Sequence, residues 1–354
     1  MEKTALTWLL GANSARGFHS LYEGFPPEGA FLRVIKGGPG TGKSSFMRRI
    51  AAAAEAAGLG VEYIICSGDP DSLDAVYIPE LKTAYADGTS PHVLEPAVFG
   101  ADGDYLELGR YCSRAAARAA SGELRRLSAE YKAQYARAYS LLAAAAEVSP
   151  AASGCYAPEE ARAAVRSRAA NLASRELGGL HAAPGAVHRR FLGGLTCRGR
   201  VLLGDTLASL CERLYLLDNR LGLGFEFAGE LARQAVRRRC EAVICPFWLR
   251  PELTEAVIFP ELRLGFAVID PLAEYPERHR CLHLDRMAGA EALRDVRAAL
   301  REDEKLSERL MFRAGQHLAA AKALHDGLEA VLRPALDTGA LSRAAAEEIS
   351  RLGL

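Results

Sequence analysis

Gly37-Gly38-Pro39-Gly40-Thr41-Gly42-Lys43-Ser44-Ser45 follows the apolar run Phe31-Leu32-Arg33-Val34-Ile35 and leads into Phe46, Ile50 and Ala54, which recur at helical spacing before Gly58. Strand, glycine loop and helix thus come in the order that phosphate recognition needs. The glycines let the backbone curl so that successive N–H groups point inward, and the start of the helix adds its positive dipole end. Lys43 has the reach to pair with terminal phosphate oxygens, and the Ser44 hydroxyl is placed to ligate Mg²⁺. Gly37, Gly38, Pro39, Gly40, Thr41, Gly42, Lys43, Ser44 and Ser45 are therefore the candidate nucleotide-binding residues, with Lys43 also a catalytic candidate. No Asn-Lys-x-Asp guanine-reading segment occurs, so ATP is expected rather than GTP.

The remaining composition narrows the setting. With 354 residues the chain exceeds what one core usually fills, and two domains are expected. Hydrophobic residues make up 49% and charged ones 25%, as in ordinary globular proteins, and the formal net charge is zero. No bulk field draws the chain to nucleic acid or an acidic membrane, and neither is an expected partner. Eight cysteines form no C-x-x-C pair, and several lie inside apolar runs such as Ile64-Ile65-Cys66, where a thiol acts as a small core residue. With no secretory h-region near the N-terminus and no long apolar run, a cytoplasmic setting is expected.

Comparing the chain with itself reveals a repeat. Leu10-Gly11-Ala12-Asn13-Ser14-Ala15-Arg16-Gly17 returns 182 positions on as Leu192-Gly193-Gly194-Leu195-Thr196-Cys197-Arg198-Gly199. Ile78-Pro79-Glu80-Leu81 returns as Phe259-Pro260-Glu261-Leu262, and Tyr105-Leu106-Glu107-Leu108-Gly109-Arg110 is echoed by Cys281-Leu282-His283-Leu284-Asp285-Arg286. Three matches in one order at a near-constant offset indicate duplication of a unit of about 180 residues. The expected architecture is α/β: two tandem domains, 1–184 and 185–354, each with a mainly parallel sheet and an Ala/Arg-rich helical tail. The tails, about 113–180 and 291–354, read as helical hairpins attached to their own sheets, with faces available to a protein partner.

The copies differ in the loop. The second reads Leu217-Asp218-Asn219-Arg220-Leu221-Gly222-Leu223-Gly224-Phe225, without the lysine or the hydroxyl. Its Asp-Asn start is expected to repel phosphate, and Phe225 cannot ligate a metal, so the second half should not bind nucleotide in the same way. Acidic residues restricted to the first copy are the further catalytic candidates. Asp69 and Asp71, in Ser67-Gly68-Asp69-Pro70-Asp71-Ser72-Leu73-Asp74, follow the second strand and are placed to order metal-bound or attacking water. Asp87 ends the strand-like Thr83-Ala84-Tyr85-Ala86 and is the expected Mg²⁺-associated acid, with no Glu after it. His92 is a lesser candidate on the same loop. Arg16 and Arg198 occur in both copies and favour a structural role, yet an arginine from one half can complete the other half's site. His279-x-Cys281-x-His283 has metal-ligand spacing on one strand face, but a plain strand is favoured.

These motifs together, N-S-A-R-G-F, G-G-P-G-T-G-K-S-S, D-P-D-S-L-D, I-P-E-L and D-G-T-S-P-H, resemble the P-loop NTPase superfamily, within it a group of uncharacterised bacterial ATPase-like proteins with a duplicated P-loop domain. The resemblance implies ATP binding and hydrolysis in the first half on Gly40, Gly42, Lys43, Ser44 and Ser45, with a degenerate second copy as scaffold or regulator. Three readings remain open at this point: an Mg²⁺-dependent ATPase, a phosphotransferase acting on a small acceptor, and a nucleotide-sensing module with little turnover.

Overall fold

A computed structural model of the chain describes residues 5–90, 94–270, 275 and 279–354. Two sheet-containing halves follow one another. The first is built from β1 (Leu6–Trp8), β2 (Gly11–Ser14), β3 (Gly17–Ser20), β4 (Phe31–Lys36), α1 (Lys43–Ala56), β5 (Glu62–Ile65), β6 (Leu73–Ile78), β7 (Thr83–Asp87) and β8 (Gly103–Glu107). Its helices α2 (Arg114–Ala119), α3 (Ser121–Val148), α4 (Pro150–Ser153) and α5 (Glu159–Glu176) follow. The second half has β9 (Val187–Arg189), β10 (Gly193–Thr196), β11 (Gly199–Leu202), α6 (Gly204–Leu210), β12 (Arg213–Leu217), α7 (Leu223–Arg238), β13 (Ala242–Pro246), β14 (Thr254–Phe259), β15 (Leu264–Val268) and β16 (His279–Leu282). It ends with α8 (Ala290–Leu332) and α9 (Thr338–Arg351).

The six-stranded sheets run in one order, β1-β5-β6-β7-β4-β8 and β9-β13-β14-β15-β12-β16. Both are mixed: five strands run in one direction, as expected of a mainly parallel sheet, and one, β6 or β14, runs against them. β4 lies parallel between β7 and β8, and β1 lies parallel to β5, but β6 is antiparallel to both neighbours. The reason is chain length. Only seven residues join β5 to β6, too few for a helical crossover, and a single 3₁₀ turn at Pro79–Leu81 joins β6 to β7. Lys82 closes that turn at φ 45°, and Arg263 closes its counterpart at φ 46°.

Local sequence explains the main elements. Helix α1 buries Phe46, Met47, Ile50, Ala51 and Ala54, one stripe at helical spacing, and Gly58 follows at φ 76° just past its end. Burying Phe46 alone contributes roughly 2 kcal/mol. Strand β6 is buried along its whole length, as a strand inside a covered sheet should be. Each half also carries a small hairpin, β2–β3 or β10–β11. All eight cysteines are free thiols. Cys66 is enclosed, and burial together with Asp74 pushes its thiol well up.

The halves are interlocked. Leu9 donates to Phe191 O at 3.2 Å, and Phe191 donates back to Leu9 O at 2.8 Å. The hairpin tips cross over in pairs, Ala15 N–H to Leu249 O at 2.9 Å and Cys197 N–H to Gly68 O at 3.1 Å. The helical tails do not form separate hairpins on their own sheets. α3 packs along α8, with Ser307 Oγ donating to Ala145 O at 3.0 Å, while α5 packs on α7 of the second half and α9 on α1 of the first. One apolar cluster accordingly includes Trp8, Leu9 and Phe46 together with Phe191, Leu195 and Trp248. Among the described residues no helix is long and apolar enough to cross a membrane.

Candidate functional site

The glycine loop leaves the end of β4 and returns as α1. Gly40 and Gly42 have φ of 72° and 82°, conformations that a side chain would strain, and Gly42 is the N-cap. Buried Thr41 staples the loop by donating to Gly38 O at 2.8 Å. Among the described residues no group accepts from the N–H of Gly38, Gly40, Gly42, Lys43 or Ser44. The result is a set of backbone donors at a helix N-terminus, with Pro39 and exposed Ser45 on its rim.

Two side chains converge on it. Lys43 Nζ folds back to donate to Gly37 O at 2.9 Å and Gly38 O at 3.0 Å, and lies 3.4 Å from Asp87 Oδ2. Asp87 reaches it because Ile35 and Asp87 are register partners across β4 and β7. The other oxygen of Asp87 accepts from Thr89 N–H at 2.8 Å and Thr89 Oγ1 at 2.6 Å, which fixes the carboxylate. Ser44 Oγ accepts from Leu73 N–H at 3.0 Å, at the start of β6, leaving its own proton and a lone pair for another partner.

Asp69 and Asp71 are placed beside the loop but are otherwise engaged. Asp69 accepts from Asp71 N–H and Ser72 Oγ, both at 3.1 Å, and lies 3.4 Å from Lys322 of α8. Asp71 pairs with Arg198 from the tip of the second half's hairpin, and its carbonyl accepts from Arg48 of α1. These contacts hold the β5–β6 turn against α1. Arg16, the counterpart of Arg198, meets Glu252 at 3.4 Å in the same crossed fashion. His92 lies outside the described residues.

Sequence reasoning missed the cover over the loop. A Cβ on Gly40 would lie 3.1 Å from Glu329 Cα on α8, and one on Gly42 would lie 2.5 Å from Leu341 Cδ2 on α9. The tail of the second half therefore lies on the glycine loop of the first. Nearby, His325, Asp326 and Glu329 bring ligand atoms within 4.8 Å of one another, but Asp326 is also paired with Lys322. No sequence signal marks these contacts, which depend on how α8 packs.

The second loop keeps the pose and loses the groups. Gly222 caps α7 at φ 82°, as Gly42 caps α1, which sets Leu223 at the place of Lys43 and Gly224, not Phe225, at that of Ser44. Asp218 does not face the loop interior. Its Oδ1 accepts from Leu284 N–H at 2.6 Å and Asp285 N–H at 2.9 Å. Asp285 enters instead, taking Arg220 N–H at 2.7 Å and Leu221 N–H at 3.2 Å, and burial beside Asp218 pushes its carboxyl up to about 6. His283 Nδ1 lies 3.5 Å from Asp218, while His279 and Cys281 are exposed on the edge strand β16, and among the described residues they belong to no cluster of metal-ligating atoms.

No protein-family model, curated protein or solved structure matches the chain.

Proposed function

We propose that the first half is a P-loop nucleotide site that binds ATP with Mg²⁺ and hydrolyses it, and that the second half is a degenerate copy serving as scaffold. The observation that carries this reading is the loop of unengaged N–H groups beside Lys43, with the Lys43 amine 3.4 Å from Asp87. Phosphate oxygens would replace the carbonyls of Gly37 and Gly38 as partners of Lys43, a change that costs the protein only two exposed or half-exposed hydrogen bonds. The donor set also fits a hard cation: Ser44 Oγ has a free lone pair, and the fixed carboxylate of Asp87 supplies charge. When bound, Mg²⁺ would neutralise charge on the phosphates. Asp69 and Asp71 act in this reading by holding the turn that carries Leu73 N–H to Ser44.

A second reading is favoured by one feature. Gly88 follows Asp87, so no carboxylate stands there to activate water, which suits a nucleotide sensor with little turnover. Phosphotransfer to a small acceptor would show as acceptor-dependent ADP release. The deciding experiment follows ADP and phosphate from Mg·ATP, with binding measured alongside, for wild type and Lys43→Ala. Phosphate release that falls by roughly 10²-fold or more in the variant supports hydrolysis. Tight binding without release selects the sensor, and absence of ATP binding by the wild type refutes both.

A further inference from the structure

Position 109 of the first half and its counterpart 285 of the second lie outside both loops, yet each abuts its own. We propose that this position decides which loop accepts phosphate: Gly109 leaves the first loop open, and Asp285 fills the second with the chain's own carboxylate. The inference rests on the nucleotide reading of the first loop.

The equivalence comes from strand register. β8 meets β4 from Leu32–Gly103 to Lys36–Glu107, and β16 meets β12 from Leu214–His279 to Leu217–Leu282. Ile35–Leu106 and Leu217–Leu282 are equivalent pairs; Glu107 and His283 follow, then Leu108 and Leu284, each fully buried, so Gly109 and Asp285 leave the two sheets at the same place. In the second half the planar carboxylate spans two consecutive loop donors, Oδ2 to Arg220 N–H and Oδ1 to Leu221 N–H. Asp218 clamps the backbone of the segment, and Glu304 holds the Arg220 guanidinium at 2.6 and 2.7 Å, so both the donors and the nearest cation are already neutralised. Two loop N–H groups and the guanidinium are thus already satisfied by the chain's own carboxylates.

In the first half the segment touches the loop without filling it. A Cβ built on Gly37 would lie 3.4 Å from Gly109 N. Gly109 has no positive φ, so glycine is not required by the backbone. A Cβ on it would meet Gly37 Cα at an ordinary 3.6 Å, and its one close neighbour, at 2.9 Å, is Glu107 Oε1, the movable end of a side chain. Position 109 can therefore hold a side chain, and a carboxylate there would be brought to the loop donors as Asp285 is.

Two variants at one position separate volume from charge. In Mg·ATP titrations, Gly109→Ala is expected to bind within about threefold of wild type, and Gly109→Asp to bind at least ~30-fold more weakly, a difference of about 2 kcal/mol. Equal affinities for the two variants would overturn the proposal. A second measurement does not use nucleotide at all: hydrogen exchange at the Arg220 and Leu221 amides in wild type and Asp285→Ala. Loss of protection by roughly tenfold or more is expected when the carboxylate goes, and unchanged protection would overturn the closure of the second loop. Should wild type fail to bind ATP, the nucleotide reading falls, and the exchange result still decides whether Asp285 closes the loop.

Discussion

Helices α1 and α7 start from the same backbone pose, Gly42 and Gly222 both at φ 82°, and lead to opposite chemistry. Before α1 the loop offers N–H groups that no described residue engages, and a lysine; before α7 Asp285 caps the N–H groups of Arg220 and Leu221, and leucine stands in place of lysine. The pose follows from packing, because each helix must leave one strand end and bury its stripe on the same sheet. Binding capacity follows from a few side chains that the packing does not need. The two halves thus share a frame, while the second loop satisfies two of its donors with the chain's own carboxylate.

The contrast extends to the crossed tail helices, and there the largest effect is expected. Glu348 of α9 is buried against the first half, where its carboxylate takes Arg33, Tyr85 and Arg351. Its approximate opposite number, Glu176 at the end of α5, meets an Arg213 side chain that is 51% exposed, at 2.7 Å. Glu348→Ala leaves a buried guanidinium short of its partner and is expected to destabilise by about 3–5 kcal/mol in urea unfolding. Glu176→Ala is expected to cost under about 1 kcal/mol. Equal losses would show that the two clasps are equivalent.

The next contrast is between two buried acids at one register position, Asp74 of β6 and Glu255 of β14. Asp74 sits against Tyr22 and Cys66, whereas burial, then Asp270, push Glu255 up from 4.5 to about 8, with Arg200 opposing. Cys245 and Tyr275 also face it. A raised folded-state value means the native chain holds a proton that the unfolded chain releases. This contribution to stability is complete below about pH 4.5 and is lost as the pH rises through about 8. Glu255→Gln should flatten that slope, changing the difference between pH 4.5 and 9 by on the order of 4 kcal/mol. An unchanged stability profile would mean the acid ionises freely.

Smaller again is the effect at the two N-caps. Alanine at either glycine is strained by roughly 1–2 kcal/mol. At Gly42 the Cβ meets a movable leucine end, Leu341 Cδ2; at Gly222 it meets the backbone Ala151 O at 2.6 Å. Gly222→Ala should therefore lose about 1 kcal/mol more than Gly42→Ala in the same unfolding assay.

Much of this frame was legible in the sequence. The strand before Gly37, the helix after it, the stop at Gly58 and the 180-residue offset all read from local pattern. Asp87 read as a strand-end acid, and the register partner Ile35 brings it to Lys43. β6 did not read, because its first residues lie inside the acidic run Asp69-Pro70-Asp71-Ser72-Leu73-Asp74 and buried Asp74 disguises a strand as a loop. The crossing of the tails could not read either, since α5 carries the same Ala/Arg composition whichever half it covers. The Leu108-Gly109-Arg110 and Leu284-Asp285-Arg286 echo was visible as a repeat, but its difference acquires meaning only when both segments are seen against their loops.

The last contrast has the smallest effect on stability and the most direct bearing on function. Arg198 and Arg16 sit at equivalent hairpin tips, both exposed, and each pairs with an acid of the other half, Asp71 or Glu252. Exposed pairs of this kind contribute roughly 0–1 kcal/mol, so alanine at either site should leave the unfolding midpoint nearly unchanged. The consequences for the loops differ. Asp71 belongs to the turn whose Leu73 N–H engages Ser44, whereas the turn of Glu252 packs through Phe247 on Phe225 of α7, in the half where Asp285 caps two loop N–H groups. Arg198→Ala is therefore expected to weaken ATP turnover several-fold, and Arg16→Ala to leave it unaltered. Equal turnover in both variants would confine the crossed arginines to holding the halves together, and loss in both would mean the interlock itself, not the turn beside Ser44, carries the effect.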